Sequence, residues 1–509
     1  MQKLNILYTS DVHGYLLPLD YATNKKTKNG LTLLASAIKK YDKASRILID
    51  AGDSIQGSPL MYFHQLKRNE YDNPVAKLYN HLGYDYFIPG NHDFNYGKKY
   101  LKDFVCNLEA NTICQNVYIH DHLLFKNGYD IKDFNGFKVL TIGVITKYVP
   151  NWESKANIKD YIFTDPVDEV KDIVSKYRKQ VNLIVLVYHG GFEKYIDSGQ
   201  EFVKDTGENQ GYRLFHEIDG VDILLTGHQH IYNSFVKDNR VALQIKANAS
   251  MLGIIEVSLK EDNSFTLKPY VIESEKLKED KISRSIVKNI NEDNQRFLDE
   301  IIGFVPKNNL EIKDSFKARR DKHLIVDFIN EIQLNATHAM LSATSLGNIV
   351  TGFKKEISIR NVLSTYIYSN TLFVIEINGK SLKEYLEKCA EYFIIEDNEI
   401  RPNPRFSYPK LEHYNYDMIA GIEYIFDLRK DFGERVVSVK YNNQEILDDD
   451  IFTLAVNNYR GSGGGDFTML KDLKIVKEVP FDVAELMIEY IRTNKFIDIS
   501  PKNNIKLLK

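Results

Sequence analysis

Two hydrophobic periods alternate along the first half of the chain. Short apolar runs in "LNILYTSD", "RILIDAGDS", "YFIPGNHD", "FKVLTIGV", "NLIVLVYHGG" and "DILLTGHQH" predict buried strands. "GLTLLASAIKKY" and "NPVAKLYNHLGY" instead carry apolar residues at helical spacing. Strands alternating with helices predict βαβ units in a layered α/β domain. "ALQIKANASMLGIIEVSL" reads as strands that close it. From residue 273 the pattern thins. "ESEKLKEDKISRSIVKNINEDNQRFLDE" is dense in charge, and its sparse apolar residues at helical spacing predict a solvated helical linker. Beyond it, "KHLIVDFINEI" predicts an amphipathic helix. "TLFVIEING" and "KSLKEYLEKCAEYF" predict a strand, a turn and a helix. "GIEYIFDLRK", "RVVSVKYNN" and "IFTLAVNNYR" predict further strands, so the second half is mixed α+β. The expected divisions are 1–272, 273–300 and 301–509.

Composition changes this picture little. The chain has 509 residues, 43% hydrophobic and 27% charged, as expected of a globular protein with more than one domain. A net charge of −4 gives no reason to expect a nucleic-acid polymer or a membrane as partner. If such a chain handles phosphate, the positive charge must be local, from metal ions or from clustered Arg and Lys. Cys106, Cys114 and Cys389 fit neither a CxxC motif nor a disulfide framework, as in a reducing compartment. "MQKLNILYTSD" lacks the apolar core of a signal peptide. No run approaches the roughly 18 apolar residues of a membrane helix. The expectation is a cytoplasmic monomer.

The chemistry lies where the strands end. "ILYTS" runs into Asp11-Val12-His13, "RILIDAG" into Asp53, "YFIPG" into Asn91-His92, "LIVLVY" into His189, and "DILLTG" into His228-Gln229-His230. Ligands in layered α/β folds sit beyond the carboxyl ends of the strands. Asp, Asn and His there are ligands for divalent metals. Gly52, Gly90 and Gly227 precede three of these residues and let the backbone approach a bound group closely. Singly, each motif is an ordinary turn. Together and in order, they point to a metal site.

In that order "DVH", "GDS", "GNHDFNYG", "YHGG" and "GHQH" resemble the calcineurin-like dinuclear metallophosphoesterases. The two-part layout narrows the resemblance to the nucleotidase group, in which a four-layer αββα domain is joined by a helix to a C-terminal nucleotide-recognition domain. The resemblance implies two divalent ions, Mn²⁺ or Zn²⁺ foremost, with Fe²⁺ or Co²⁺ also compatible. By resemblance Asp11, His13 and His230 hold one ion, Asn91, His189 and His228 the other, and Asp53 bridges them. It also implies that a metal-bound hydroxide attacks phosphorus in line while His92 faces the phosphate. In the phosphomonoesterase branch this His pairs with an Asp three residues later; here Asn95 stands there. An amide can orient an imidazole but cannot raise its pKa as a carboxylate does.

"GNHDFNYG" instead resembles the branch that hydrolyses 2′,3′-cyclic nucleotides and 3′-nucleotides. The second half agrees: where 5′-nucleotidases carry an Arg-containing stretch, this chain has "LSATSLGNIVTG". "HYNYDMIAGIEYIFDL" and "AVNNYRGSGGGDF" also resemble the cyclic-phosphodiesterase branch. By that resemblance Tyr414 and Tyr459 sandwich the base. The loop of Arg460, Ser462, Gly463 and Gly464 wraps the ribose. With the base on one domain and the metals on the other, the domains would have to come together, with the charged stretch as hinge. Two alternatives stay open: a 5′-nucleotidase or nucleotide-sugar hydrolase using the same metals, and a nucleotide-binding protein that has lost catalysis.

Overall fold

A computed structural model describes residues 2–509 apart from 202–205, 263, 308–309, 369, 409, 472 and 480. It contains two compact units, Met1–Gln295 and Arg296–Lys509.

The first unit is built on two six-stranded sheets. One is ordered Phe265–Glu273, Met251–Leu259, Gln2–Thr9, Arg46–Asp50, Tyr86–Phe87, Asn111–Thr112. The other runs Asn233–Lys237, Arg240–Gln244, Ile223–Thr226, Leu183–His189, Phe137–Ile145, Tyr129–Phe134. In the first sheet Gln2–Thr9, Arg46–Asp50 and Tyr86–Phe87 run parallel, so Thr9, Asp50 and Phe87 end at one edge, while Met251–Leu259 runs antiparallel to Gln2–Thr9. Ile145, His189 and Thr226 end at one edge of the second. Alternate residues (Leu4, Ile6, Tyr8, Ile47 and Ile49 from one sheet, Val139, Val185, Val187, Ile223 and Leu225 from the other) form one buried cluster. The intervening residues Leu140, Ile142, Ile184 and Leu186 pack against the helices Pro166–Tyr177 and Gly211–His216. Strands buried on both faces read as continuous apolar runs, which is why they stood out in the sequence.

Local chemistry sets the helix ends. Pro74–Leu82 has Pro at its first position and Asn73 capping the N–H groups of Val75 and Ala76. It stops at Gly83, whose φ of 70° a side chain would disfavour.

Two expectations change. "YFIPGNHD" is a strand only over Tyr86–Phe87, and a 3₁₀ turn follows at Asn91–Phe94. The charged stretch after 273 is not simply solvated. Glu279 accepts from Thr32 Oγ1 (2.9 Å), Asp280 pairs with Lys39 (2.7 Å) and Asp293 accepts from Tyr71 (2.5 Å), so up to Gln295 it docks on the first unit. Its charges face specific partners that a linear pattern does not show.

The second unit centres on a five-stranded sheet ordered Asp417–Ala420, Leu341–Ser345, Ile451–Asn457, Leu372–Asn378, Ile475–Val479. Asn378 caps the helix Gly379–Ala390, which buries Leu382, Tyr385, Leu386 and Cys389 at i, i+3, i+4 and i+7. The amphipathic helix expected at "KHLIVDFINEI" is Leu324–Thr337.

Asp50 ends its strand fully buried. It accepts from Thr9 Oγ1 (2.6 Å), Gly52 N (3.1 Å) and Ser54 Oγ. Burial nevertheless pushes its carboxyl up to about 7. An unfolded Asp titrates near ~3.9. Between those values the folded chain holds a proton that the unfolded chain has lost, so stability falls as pH rises through this window and levels above it. Asp50→Asn is neutral throughout and removes this slope. The denaturation midpoint should therefore fall more steeply from pH 5 to pH 8 in the wild type than in the variant. Equal slopes would acquit Asp50.

Candidate metal centre

The parallel strand ends of the first unit bring all seven expected ligands together. Asp11, His13 and His230 offer atoms within 4.8 Å of one another, and so do Asp53, His189 and His228. The amide oxygen of Asn91 joins the second group, 2.9 Å from His228 Nδ1 and 3.2 Å from His189 Nε2. Asp53 Oδ2 lies 3.2 Å from His189 Nε2 and 3.9 Å from His13 Nε2, so it reaches toward both groups.

The backbone bends hard to achieve this. Asp11, His13, Asp53, His228 and His230 all have φ between +49° and +70°. Such conformations cost about 1–3 kcal/mol each and persist where surrounding structure enforces them. Glycines allow the approach: a Cβ on Gly90 would lie 2.2 Å from Asp53 Oδ1, and one on Gly227 would lie 2.0 Å from Ser10 Oγ.

Each ring is oriented by the nitrogen it does not offer. His13 Nδ1 donates to Gln56 O (2.9 Å) and His189 Nδ1 to Ala51 O (2.6 Å), so each ring turns its Nε2 into the centre. His228 Nε2 bonds Glu208 Oε1 (2.9 Å), leaving Nδ1. The His13 and His230 Nε2 atoms face each other at 3.1 Å, a separation that needs a proton or a cation between them. Asp53 Oδ2 is buried yet accepts no hydrogen bond. A buried carboxylate oxygen that accepts no hydrogen bond, beside converging imidazole nitrogens, fits divalent ions. Burial opposes ionisation of Asp53, but His189, His92 and His13 hold it well below the usual carboxylate range. Burial drops His13 to about 4, so that ring is neutral and competent as a ligand at neutral pH.

His92 is partly exposed and turns its Nδ1 to Asn95 Oδ1 (2.8 Å). Its ring lies edge-on to His13 with centroids 5.4 Å apart. His230, with a side chain 40% exposed, marks the open side of the centre.

Several contributors escaped the sequence reading. Asp93 accepts four backbone N–H groups: Gly90 and Asp53 on Oδ2 (2.8 and 2.9 Å), Ser54 and Ile55 on Oδ1 (2.8 and 3.0 Å). It thereby holds the turn that carries Asp53. That role depends on the 3₁₀ turn at Asn91–Phe94, for which the sequence carried no signal. Glu208 and Trp152, whose ring stacks on His228 at 5.3 Å, lie far away in sequence and gave none.

In the second unit Tyr414 and Tyr459 are partly exposed, as a stacking surface requires. Ser462, Gly463 and Gly464 are likewise partly exposed, and Gly464 packs so close to the Tyr459 ring that a Cβ would lie 2.6 Å from it. Arg460 departs from expectation. It is 1% exposed, with Nε on Asp417 (2.5 Å), Nη1 on Gly464 O (2.5 Å) and Nη2 on Tyr414 O (3.0 Å). Phe467 covers its guanidinium at 3.9 Å. With its donors engaged inside the protein, Arg460 ties the Gly-rich loop to the Tyr414 segment and is not presented to a ligand.

Comparison with known proteins agrees with this architecture. Residues 4–232 match the calcineurin-like phosphoesterase family, and residues 301–472 match the 5′-nucleotidase C-terminal domain. The chain is 26% identical to a Haemophilus influenzae 2′,3′-cyclic-nucleotide 2′-phosphodiesterase/3′-nucleotidase, over 96% of this chain and 84% of that one. It is 24% identical to the trifunctional nucleotide phosphoesterase YfkN of Bacillus subtilis, over 98% of this chain but only 38% of that protein's length. Among solved structures, a Staphylococcus aureus protein provisionally described as a 5′-nucleotidase, in complex with alpha-ketoglutarate, superposes with a TM-score of 0.91 at 29% identity, covering both chains fully. No helix among the described residues is long and apolar enough to cross a membrane. The chain belongs to the calcineurin-like phosphoesterases that carry a 5′-nucleotidase C-terminal domain, and it is a hydrolase of nucleotide phosphoesters.

Proposed function

We propose that this protein opens 2′,3′-cyclic nucleotides to 3′-nucleotides and hydrolyses these to nucleoside and phosphate, using two divalent ions. One observation carries the reading: two groups of candidate ligand atoms converge on Asp53 Oδ2, a buried oxygen that accepts no hydrogen bond. In this reading Asp11, His13 and His230 hold one ion, Asn91, His189 and His228 the other, and Asp53 both. Bound there, the ions would concentrate positive charge on the phosphoryl group and lower the pKa of the attacking water.

The chain's own residues do the rest. His92, which is partly exposed, hydrogen-bonds a phosphoryl oxygen or the departing ribose oxygen in this reading, and Asn95 orients its ring. Tyr414 and Tyr459 stack on the base, a contact worth ~1–3 kcal/mol that tolerates any base. Ser462, Gly463 and Gly464 line the ribose. Three features favour the cyclic ester: an amide at Asn95, no Arg in "LSATSLGNIVTG", and relatives named for that activity. The extensive likeness to the Staphylococcus aureus protein favours the second reading, 5′-nucleotidase activity.

A substrate panel separates the two. With Mn²⁺, turnover on 2′,3′-cyclic AMP and 3′-AMP should exceed that on 5′-AMP and a nucleotide sugar by at least about tenfold, a difference of ~1.4 kcal/mol in barrier. Activity confined to 5′-AMP would establish the second reading instead. Nucleotide binding without turnover on any ester would point to a protein that has lost catalysis.

A further inference from the structure

The amide at Asn95 has a second partner. Its Oδ1 faces His92 Nδ1 (2.8 Å), while its Nδ2 donates to Glu153 Oε2 (2.7 Å). Glu153 is 8% exposed and lies 58 residues away in sequence. Its other oxygen, Oε1, accepts from Ser154 N (2.7 Å) and from Asn157 Nδ2 (3.0 Å). Asn157 Nδ2 also donates to Asn95 O (2.9 Å), which keeps Asn157 from turning its amide round. Burial pushes the Glu153 carboxyl up, but both of its oxygens face N–H donors, so no acceptor is placed to receive a carboxylic proton.

An isolated amide turns either end to a neighbour, whereas a carboxylate only accepts. Glu153 therefore dictates that Asn95 presents Nδ2 to it and Oδ1 to the ring. A ring nitrogen facing a carbonyl oxygen must carry hydrogen. We propose that Glu153 is a positioning residue which, through the Asn95 amide, fixes His92 as the Nδ1–H tautomer and leaves Nε2 to exchange a proton or hydrogen bond with the ester. The catalytic consequence rests on the reading of His92 as the phosphate-facing group. The carboxylate that position 95 lacks thus stands one amide further back, where it sets direction rather than delivering charge to the ring.

Glu153→Gln makes the idea testable. Ser154 N and the restrained Asn157 amide both demand an acceptor at the Oε1 position, so the glutamine oxygen goes there. Its NH₂ then faces Asn95, whose amide flips and offers Nδ2 to His92. The ring should switch to the Nε2–H tautomer. The readout is ¹⁵N NMR of the full-length, histidine-labelled, Zn²⁺-loaded chain at about pH 9, well above the ordinary His pKa of ~6.5. His92 should be Nδ1–H in the wild type and Nε2–H in Glu153→Gln. kcat should fall about 10–100-fold, the range for lost outer-shell partners, with KM and zinc content unchanged. In an Asn95→Ala background Glu153→Gln should add less than about twofold, because the relay is already cut. An Nε2–H ring in the wild type, an unchanged tautomer in the variant, or additive losses would each overturn the proposal. The wild-type spectrum decides even if the variant fails to fold. The tautomer measurement uses no substrate, so a different preferred ester would leave it standing.

Discussion

Asp53→Asn should lower turnover by on the order of 10³-fold and loosen both metal ions together. The change is nearly isosteric. An Asn oxygen at the Oδ1 position can still accept from His92 N, now at 2.7 Å, so the turn has no reason to unfold. What disappears is the charge at Oδ2, the atom that accepts no hydrogen bond and points between the His189 and His13 nitrogens. Metal charge stabilisation of a phosphoryl transition state is worth several kcal/mol. At 1.36 kcal/mol per decade, several kcal/mol corresponds to the expected loss. Metal analysis after dialysis should find both ions depleted. A variant that keeps one ion tightly and loses only the other would mean that Asp53 serves a single metal.

Asp93→Ala should cost the metal-free protein roughly 3–5 kcal/mol of unfolding free energy, although Asp93 offers no atom to either ligand group. Its carboxylate accepts four buried backbone N–H groups, from Gly90, Asp53, Ser54 and Ile55. Hydrogen bonds to a charged group contribute about 1.5–3 kcal/mol each, and buried donors left unpaired are penalised further. Neighbouring losses do not add fully, because the turn relaxes as a unit. Denaturant unfolding of the chelated wild type and variant provides the measurement. A loss below about 1 kcal/mol would show that the turn around Asp53 stands without Asp93.

These two carboxylates show where sequence reading succeeds and where it stops. Asp53 was legible because it ends a continuous apolar run and follows Gly52. Each of the seven proposed ligands sits at or just past the end of such a run, and parallel strands deliver their ends to a common edge. The ends of apolar runs and the ligand-type residues beside them are local features that spacing encodes. Asp93 lies inside the same motif, yet its role depends on a 3₁₀ turn that aims it back at the Asp53 backbone. Glu208, Trp152 and Glu153 act on His228 or Asn95 from segments with no motif of their own. Only tertiary packing assigns them. Arg460 shows the opposite error. A cation in a Gly-rich loop suggests a ligand contact, but Asp417, Gly464 and Tyr414 occupy its donors. The charged stretch after 273 misled for a related reason, since surface charge and docked charge look alike until partners such as Lys39 are placed.

The central claim is that one centre holds two ions on seven side chains of the first unit. The most direct test is the metal-to-chain ratio of the full-length protein, stripped with chelator, reloaded with Mn²⁺ and freed of excess metal. Two ions per chain is the expected result, and a single ion per chain would contradict the account.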